Sequence, residues 1–199
     1  MAMVAIGMIA LVLLMIIPGY GIPADPSPKK VEYEVLNKIS LVGNDHPQNI
    51  SRTLNNAQYL ATPTLSIKQA ADIISIVGCP YDEEICYAKA LYAFVQQHIS
   101  YIKDPVLFDF IKTPQETLIS KAGDCDDQAI LLASLMQSVG IPTQLIVTPN
   151  HMLIKIYLPN ARSFYKDDDG WIFLDPTCKT CRFGQLPPAI DKTAIRSLR

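Results

Sequence analysis

Gly123-Asp124-Cys125-Asp126-Asp127 sets one thiol among three carboxylates, directly ahead of an apolar helical pattern from Gln128 to Val139. Gly140 and Ile141-Pro142 supply the stop, with glycine just past the last turn and proline beyond it. Cys125 is therefore expected in the first turn of a helix, where unpaired N–H groups and the macrodipole favour a thiolate. A lone cysteine is more often a buried structural residue. The flanking carboxylates belong at a wet surface or cleft, and they turn the reading toward a nucleophile. They also disfavour a thiolate electrostatically, so a nearby imidazolium and the helix end have to compensate.

A cysteine nucleophile needs a base, and the base needs an orienting acceptor. Two strand-like runs late in the chain offer both. His151 to Leu158 alternates, with Met152, Ile154, Ile156 and Leu158 on one face and His151 on the other. Trp171 to Asp175 follows the turn signal Asp167-Asp168-Asp169-Gly170. If these runs form a hairpin, His151 is expected opposite Asp175 and Lys155 opposite Trp171, which brings the carboxylate within reach of the imidazole. A slip of two residues keeps both side chains on the same face.

The elements that must position these residues read as helices first and sheet last, an α+β order. Residues 31–41 are expected to be helical, 44–64 mostly loop, and 66–77 helical up to Gly78. The long helix is expected over 82–100, with Ile85, Ala88, Tyr92, Val95 and Ile99 as its stripe. His98 near its end suits the dipole as a solvated or structural residue. Thr113-Pro114-Gln115-Glu116 is a capping box with proline at the first helical position. Thr143 to Thr148 is a third strand.

The order Cys, His, Asp, with the cysteine opening a helix and its partners on adjacent strands, resembles the transglutaminase-like superfamily. The matching residues are Gly123 to Asp127 with the helix through Pro142, then His151, then Trp171-Ile172-Phe173-Leu174-Asp175-Pro176-Thr177. The resemblance spans roughly residues 83–177. It implies a papain-related α+β fold, N-terminal helices before a small antiparallel sheet, and acyl chemistry at a peptide or isopeptide amide. Cys125 would attack, His151 shuttle the proton and Asp175 orient the ring. The chain resembles the small microbial members, many of them proteases or amidases, more than the large calcium-dependent cross-linking enzymes. Amine-accepting transglutamination and a membrane-tethered module without turnover are the alternatives. The oxyanion hole is expected to use the Cys125 N–H, with Gln115 and Tyr101 as candidates for a second donor. No cofactor or metal is called for at this site.

The chain has 199 residues, 49% hydrophobic, with net charge −2. That balance fits one globular domain with an appendage and gives no electrostatic reason to expect nucleic acid. Oligomeric state is not legible. Val4 to Ile17 is apolar and ends at Pro18-Gly19, a length that suits a signal peptide or a marginal anchor. The expected organisation is an exported or anchored segment over 1–22, a Pro-rich linker over 23–30 and a catalytic domain over 31–199, extracytoplasmic, with an uncleaved anchor favoured. Asn49-Ile50-Ser51 matches a glycosylation sequon. Five cysteines divide as four plus one. Local disulfides, Cys79 with Cys86 and Cys178 with Cys181, are expected to leave Cys125 free, a four-thiolate zinc site being the rival.

Overall fold

The computed structural model describes residues 25–39, 41, 53, 56–105, 110–167, 169–188, 190 and 195–198. The N-terminal apolar run and the Asn49 sequon lie outside these residues. Among the described residues no helix is long and apolar enough to cross a membrane.

Five helices and six strands are described: α1 Ala57–Leu60, α2 Leu65–Gly78, α3 Glu84–His98, β1 Ser100–Tyr101, α4 Pro114–Ser120, β2 Ala122–Gly123, α5 Cys125–Ser138, β3 Thr143–Thr148, β4 His151–Tyr157, β5 Trp171–Leu174 and β6 Arg196–Ser197. Helix α2 starts where the Thr64 hydroxyl accepts from Ile67 N at 3.4 Å. The capping box of α4 is present in both directions, with Glu116 N donating to Thr113 Oγ1 at 3.2 Å and Thr113 N donating to Glu116 Oε2 at 2.8 Å. That helix ends at Lys121, left-handed at φ 54° although it is not glycine. Residues Tyr33–Lys38 form a 3-10 helix rather than the longer helix expected over 31–41.

Helix α5 packs against α2, α3, α4, β3 and β4. Every residue from Asp126 to Met136 is buried, so its apolar pattern reports burial all round and not a single face. The sheet runs β5-β4-β3-β6, all antiparallel. Met152, Ile154, Ile156 and Leu158, the face that alternation assigned, belong to the same core as α5, together with Ile172 and Leu174. Complete burial of an Ile or Leu stabilises the fold by about 1.5–3 kcal/mol, and α5 alone contributes Ile130, Leu131, Leu132 and Leu135.

Disulfides join Cys79 to Cys86 and Cys178 to Cys181, and Cys125 is free. The first ties the end of α2 to the opening turn of α3. Residues 25–31 run along the domain without regular structure. Lys29 N donates to Gly78 O at 2.8 Å, and the Lys89 ammonium binds the Asp25 carboxylate, which also accepts from Tyr165 Oη at 3.0 Å.

Candidate active site

The site is built around the start of α5. Asp124 is the extended N-cap residue, and its N–H donates to Asp127 Oδ2 at 3.4 Å. Asp127 also accepts from Lys112 N at 2.7 Å and forms an ion pair with Lys112 Nζ at 2.5 Å. Gly123 is demanded by this arrangement, because a Cβ there would come within 2.5 Å of Asp127 Cβ. The Gly123 carbonyl accepts from Gln128 Nε2 at 3.0 Å and from Ile102 N at 3.1 Å. The short parallel pair β1–β2 thus lays Tyr101 beside the turn that presents Cys125.

His151 opens β4, and its Nε2 lies 2.9 Å from Asp175 Oδ2. The Cys125 thiol acts on the same ring, raising it second to Asp175. His151 and Asp175 thus meet directly, and Cys125 stands near enough to the ring to influence it. The strand register differs from the expectation. Lys155 pairs with Phe173 and Tyr157 with Trp171, a shift of two residues. His151 and Asp175 are consequently diagonal neighbours and not directly opposed. Parity is preserved, so the side chains still share a face and reach each other.

The electrostatics reinforce the pairing. The hydrogen bond to Asp175 and then that to Cys125 hold the His151 ring protonated, up to about 10, against the opposing effect of burial. Burial works against charge on Asp175, but hydrogen bonds from His151 and Thr177 outweigh it and keep the carboxyl below its ordinary value. Asp175 is 1% exposed.

The carboxylates beside Cys125 are not at a wet surface, contrary to the expectation. Asp127 is fully buried, and Asp124 and Asp126 nearly so. Burial, then the hydrogen bond and charge of Asp124, push Asp126 up to about 9. Oxygens of the three acids lie within 4.8 Å of one another. Asp127 is engaged by Lys112 and Asp126 accepts from Asp127 N at 2.7 Å, so internal partners account for most of the cluster. Asp124 Oδ1 is buried without a hydrogen-bond partner.

Of the two candidate oxyanion donors, buried Gln115 is committed elsewhere, donating to Leu41 O at 2.6 Å. Tyr101 is half exposed, and its hydroxyl is raised by burial and then by the charges of Cys125, Asp124, Asp126 and Asp175, which locates it at the edge of the site. Sequence reading missed Lys112, which carries no local signal, and Thr177, which carries one. Thr177 N donates to Asp175 Oδ1 at 2.9 Å, an Asx turn of the kind an Asp-Pro-Thr run favours.

The comparisons with known proteins fit this description. No curated protein matches the chain. A crystal structure of a candidate protease from Parabacteroides distasonis is similar at 13% identity and a TM-score of 0.49, over 68% of this chain and 31% of that one. A candidate cysteine protease from Cytophaga hutchinsonii is similar at 13% identity and a TM-score of 0.46, over 72% of this chain and 46% of that one. The chain thus spans less than half the length of either. The family model of the transglutaminase-like superfamily matches residues 74–176, just over half the chain, from inside α2 to the residue after Asp175. With that match the chain belongs to the transglutaminase-like superfamily.

Proposed function

We propose that this chain is a cysteine hydrolase of peptide or isopeptide amides, working through Cys125, His151 and Asp175. The observation that carries the reading is the imidazole of His151, which bonds Asp175 Oδ2 at 2.9 Å through Nε2 and is raised further by the thiol at the start of a buried helix. The Cys125 sulfur attacks the amide carbonyl, and the oxyanion forms beside the Cys125 N–H. His151 gives its proton to the leaving nitrogen as the C–N bond breaks, leaving a thioester. Water then attacks, His151 takes its proton, and the sulfur leaves as the carboxylic acid is released. Asp175 keeps the ring in one orientation throughout. Hydrolysis is favoured over transfer to an amine because the resemblance lies with the small members of the superfamily.

Two disulfides support an oxidising, extracytoplasmic location. The proposed organisation keeps residues 1–22 as export signal or anchor, 23–30 as the connection and 31–199 as the catalytic domain, with membrane attachment through the N-terminal segment.

The test is iodoacetamide labelling without reductant, read by peptide mass spectrometry. Only Cys125 is expected to react, the other four cysteines being paired. His151→Ala should slow labelling on the order of 10²-fold or more, the scale of general-base assistance. Labelling kinetics unchanged in His151→Ala would sink the proposal. Incorporation of a fluorescent primary amine into a glutamine peptide, without release of acid, would replace hydrolysis by transamidation.

A further inference from the structure

We infer that Thr177 is the positioning residue of this site, its hydroxyl holding one oxygen of Asp175 so that the other is left for His151. The inference rests on the catalytic reading above. Asp175 Oδ1 accepts from Thr177 Oγ1 at 2.7 Å and from Thr177 N at 2.9 Å, while Oδ2 faces His151 Nε2 at 2.9 Å. The terminal torsion of an aspartate is broad and roughly two-fold. Two donors on one oxygen remove that freedom, and the remaining oxygen then points at the imidazole. The backbone beneath is fixed as well. Asp175 O accepts from Tyr92 Oη at 3.1 Å and from Cys178 N at 3.3 Å.

Thr177 is itself held by the turn that follows it. Cys181 N donates to Cys178 O at 3.2 Å, and the disulfide closes the same turn. Gln96 Nε2 from α3 reaches Cys178 O at 2.5 Å and Cys181 O at 3.2 Å. The Lys179 ammonium caps the end of α3 through Gln96 O and Ile99 O. Ile99 leads straight into β1, so one clamp serves both the Asp175 loop and the strand that carries Tyr101. Among the described residues, the titratable groups facing Asp175 are His151 from β4, Tyr92 from α3 and Tyr101 from β1. None of these can replace the Thr177 hydroxyl on Oδ1, which sits on the residue two places along the chain.

The experiment compares Thr177→Val, Thr177→Ala and Thr177→Ser in the full chain by the pH profile of iodoacetamide labelling at Cys125, with melting temperature alongside. Thr177→Val and Thr177→Ala should label about 10–100-fold more slowly than wild type, the scale on which outer partners of functional groups act. Their acid limb should move to higher pH, because a donor that keeps Asp175 ionised is gone. Thr177→Ser, which restores the hydroxyl, should return both rate and limb toward wild type. Rates at or near wild type in Val and Ala would overturn the inference. So would equal impairment in all three variants, since the hydroxyl would then not be the holder. A wild type that labels no faster than His151→Ala overturns the parent reading and this one with it.

Discussion

Asp175→Asn measures the central electrostatic claim directly. The His151 ring is held up to about 10 by Asp175 first and Cys125 second, from an ordinary value of 6.5. A displacement of about 3.5 pH units corresponds to about 5 kcal/mol at 1.36 kcal/mol per unit, an order-of-magnitude figure. Asp175 is the larger contributor, so removing its charge should drop the His151 titration toward its ordinary 6.5 and remove the larger share of that pair energy. The pH window follows from the two signs. A raised histidine contributes stability that is complete below pH 6.5 and is lost as pH rises through about 10. A lowered aspartate contributes stability that is present above its ordinary 3.8 and is lost as pH falls below it. The melting-temperature gap between wild type and Asp175→Asn should therefore be widest between about pH 4 and 6.5 and should close toward about pH 10. The chain contains three histidines, His46, His98 and His151, so NMR titration of labelled histidine resolves the site. A wild-type His151 that titrates near 6.5, or a gap that widens with pH, would refute the reasoning.

Two further variants probe the start of α5. Gly123→Ala pushes a Cβ to within 2.5 Å of Asp127 Cβ and should cost about 1–3 kcal/mol in urea denaturation, with slowed Cys125 labelling; a wild-type midpoint would show that the turn has room. Lys112→Met leaves the fully buried Asp127 carboxylate without its cation and should cost about 3–5 kcal/mol at neutral pH by thermal melting. Adding Asp127→Asn to it should recover part of that loss, and no recovery would locate the effect outside the ion pair.

The placement of His151 beside Asp175 was legible because it depends on residue type and parity. Cys125 had to open a helix, given Gly140-Ile141-Pro142 at the other end, and alternation put His151 and Asp175 on one face whatever the register. The register itself was not legible. It is set by the 158–170 connection, where Ser163–Tyr165 form a 3-10 turn and Asp167 Oδ1 accepts from Trp171 N at 2.8 Å. A hairpin closed by a loop of that length has no turn type to fix its pairing. Burial of the three aspartates was equally out of reach. Asp127 takes its cation from Lys112, which precedes α4 and lies 15 residues away in the chain, and no local pattern signals that pairing. The helix expected over 31–41 failed for a related reason. That weakly patterned stretch is held by tertiary bonds, Tyr33 Oη to Leu118 O at 2.7 Å and His98 Nε2 with Val31 O at 2.8 Å, instead of by its own periodicity.

Three acids beside the Cys125 sulfur look hostile to a thiolate, yet the structure leaves less charge there than the sequence implies. Asp127 is matched by the Lys112 ammonium at 2.5 Å. Asp126 is pushed up to about 9 by burial and by Asp124, so at neutral pH it retains its proton. The His151 ring, held positive by Asp175 first and Cys125 second, supplies a cation to the same site. The Asp126 proton has the opposite stability sign from the His151–Asp175 pair. An acid whose value is raised on folding withdraws stability as pH climbs from its ordinary 3.8 toward about 9. The cluster is thus not a source of stability at neutral pH. Its effect is local: Asp127 fastens the N-cap, the Lys112 ammonium offsets the Asp127 charge, and the proton that Asp126 retains removes a second charge from the first turn.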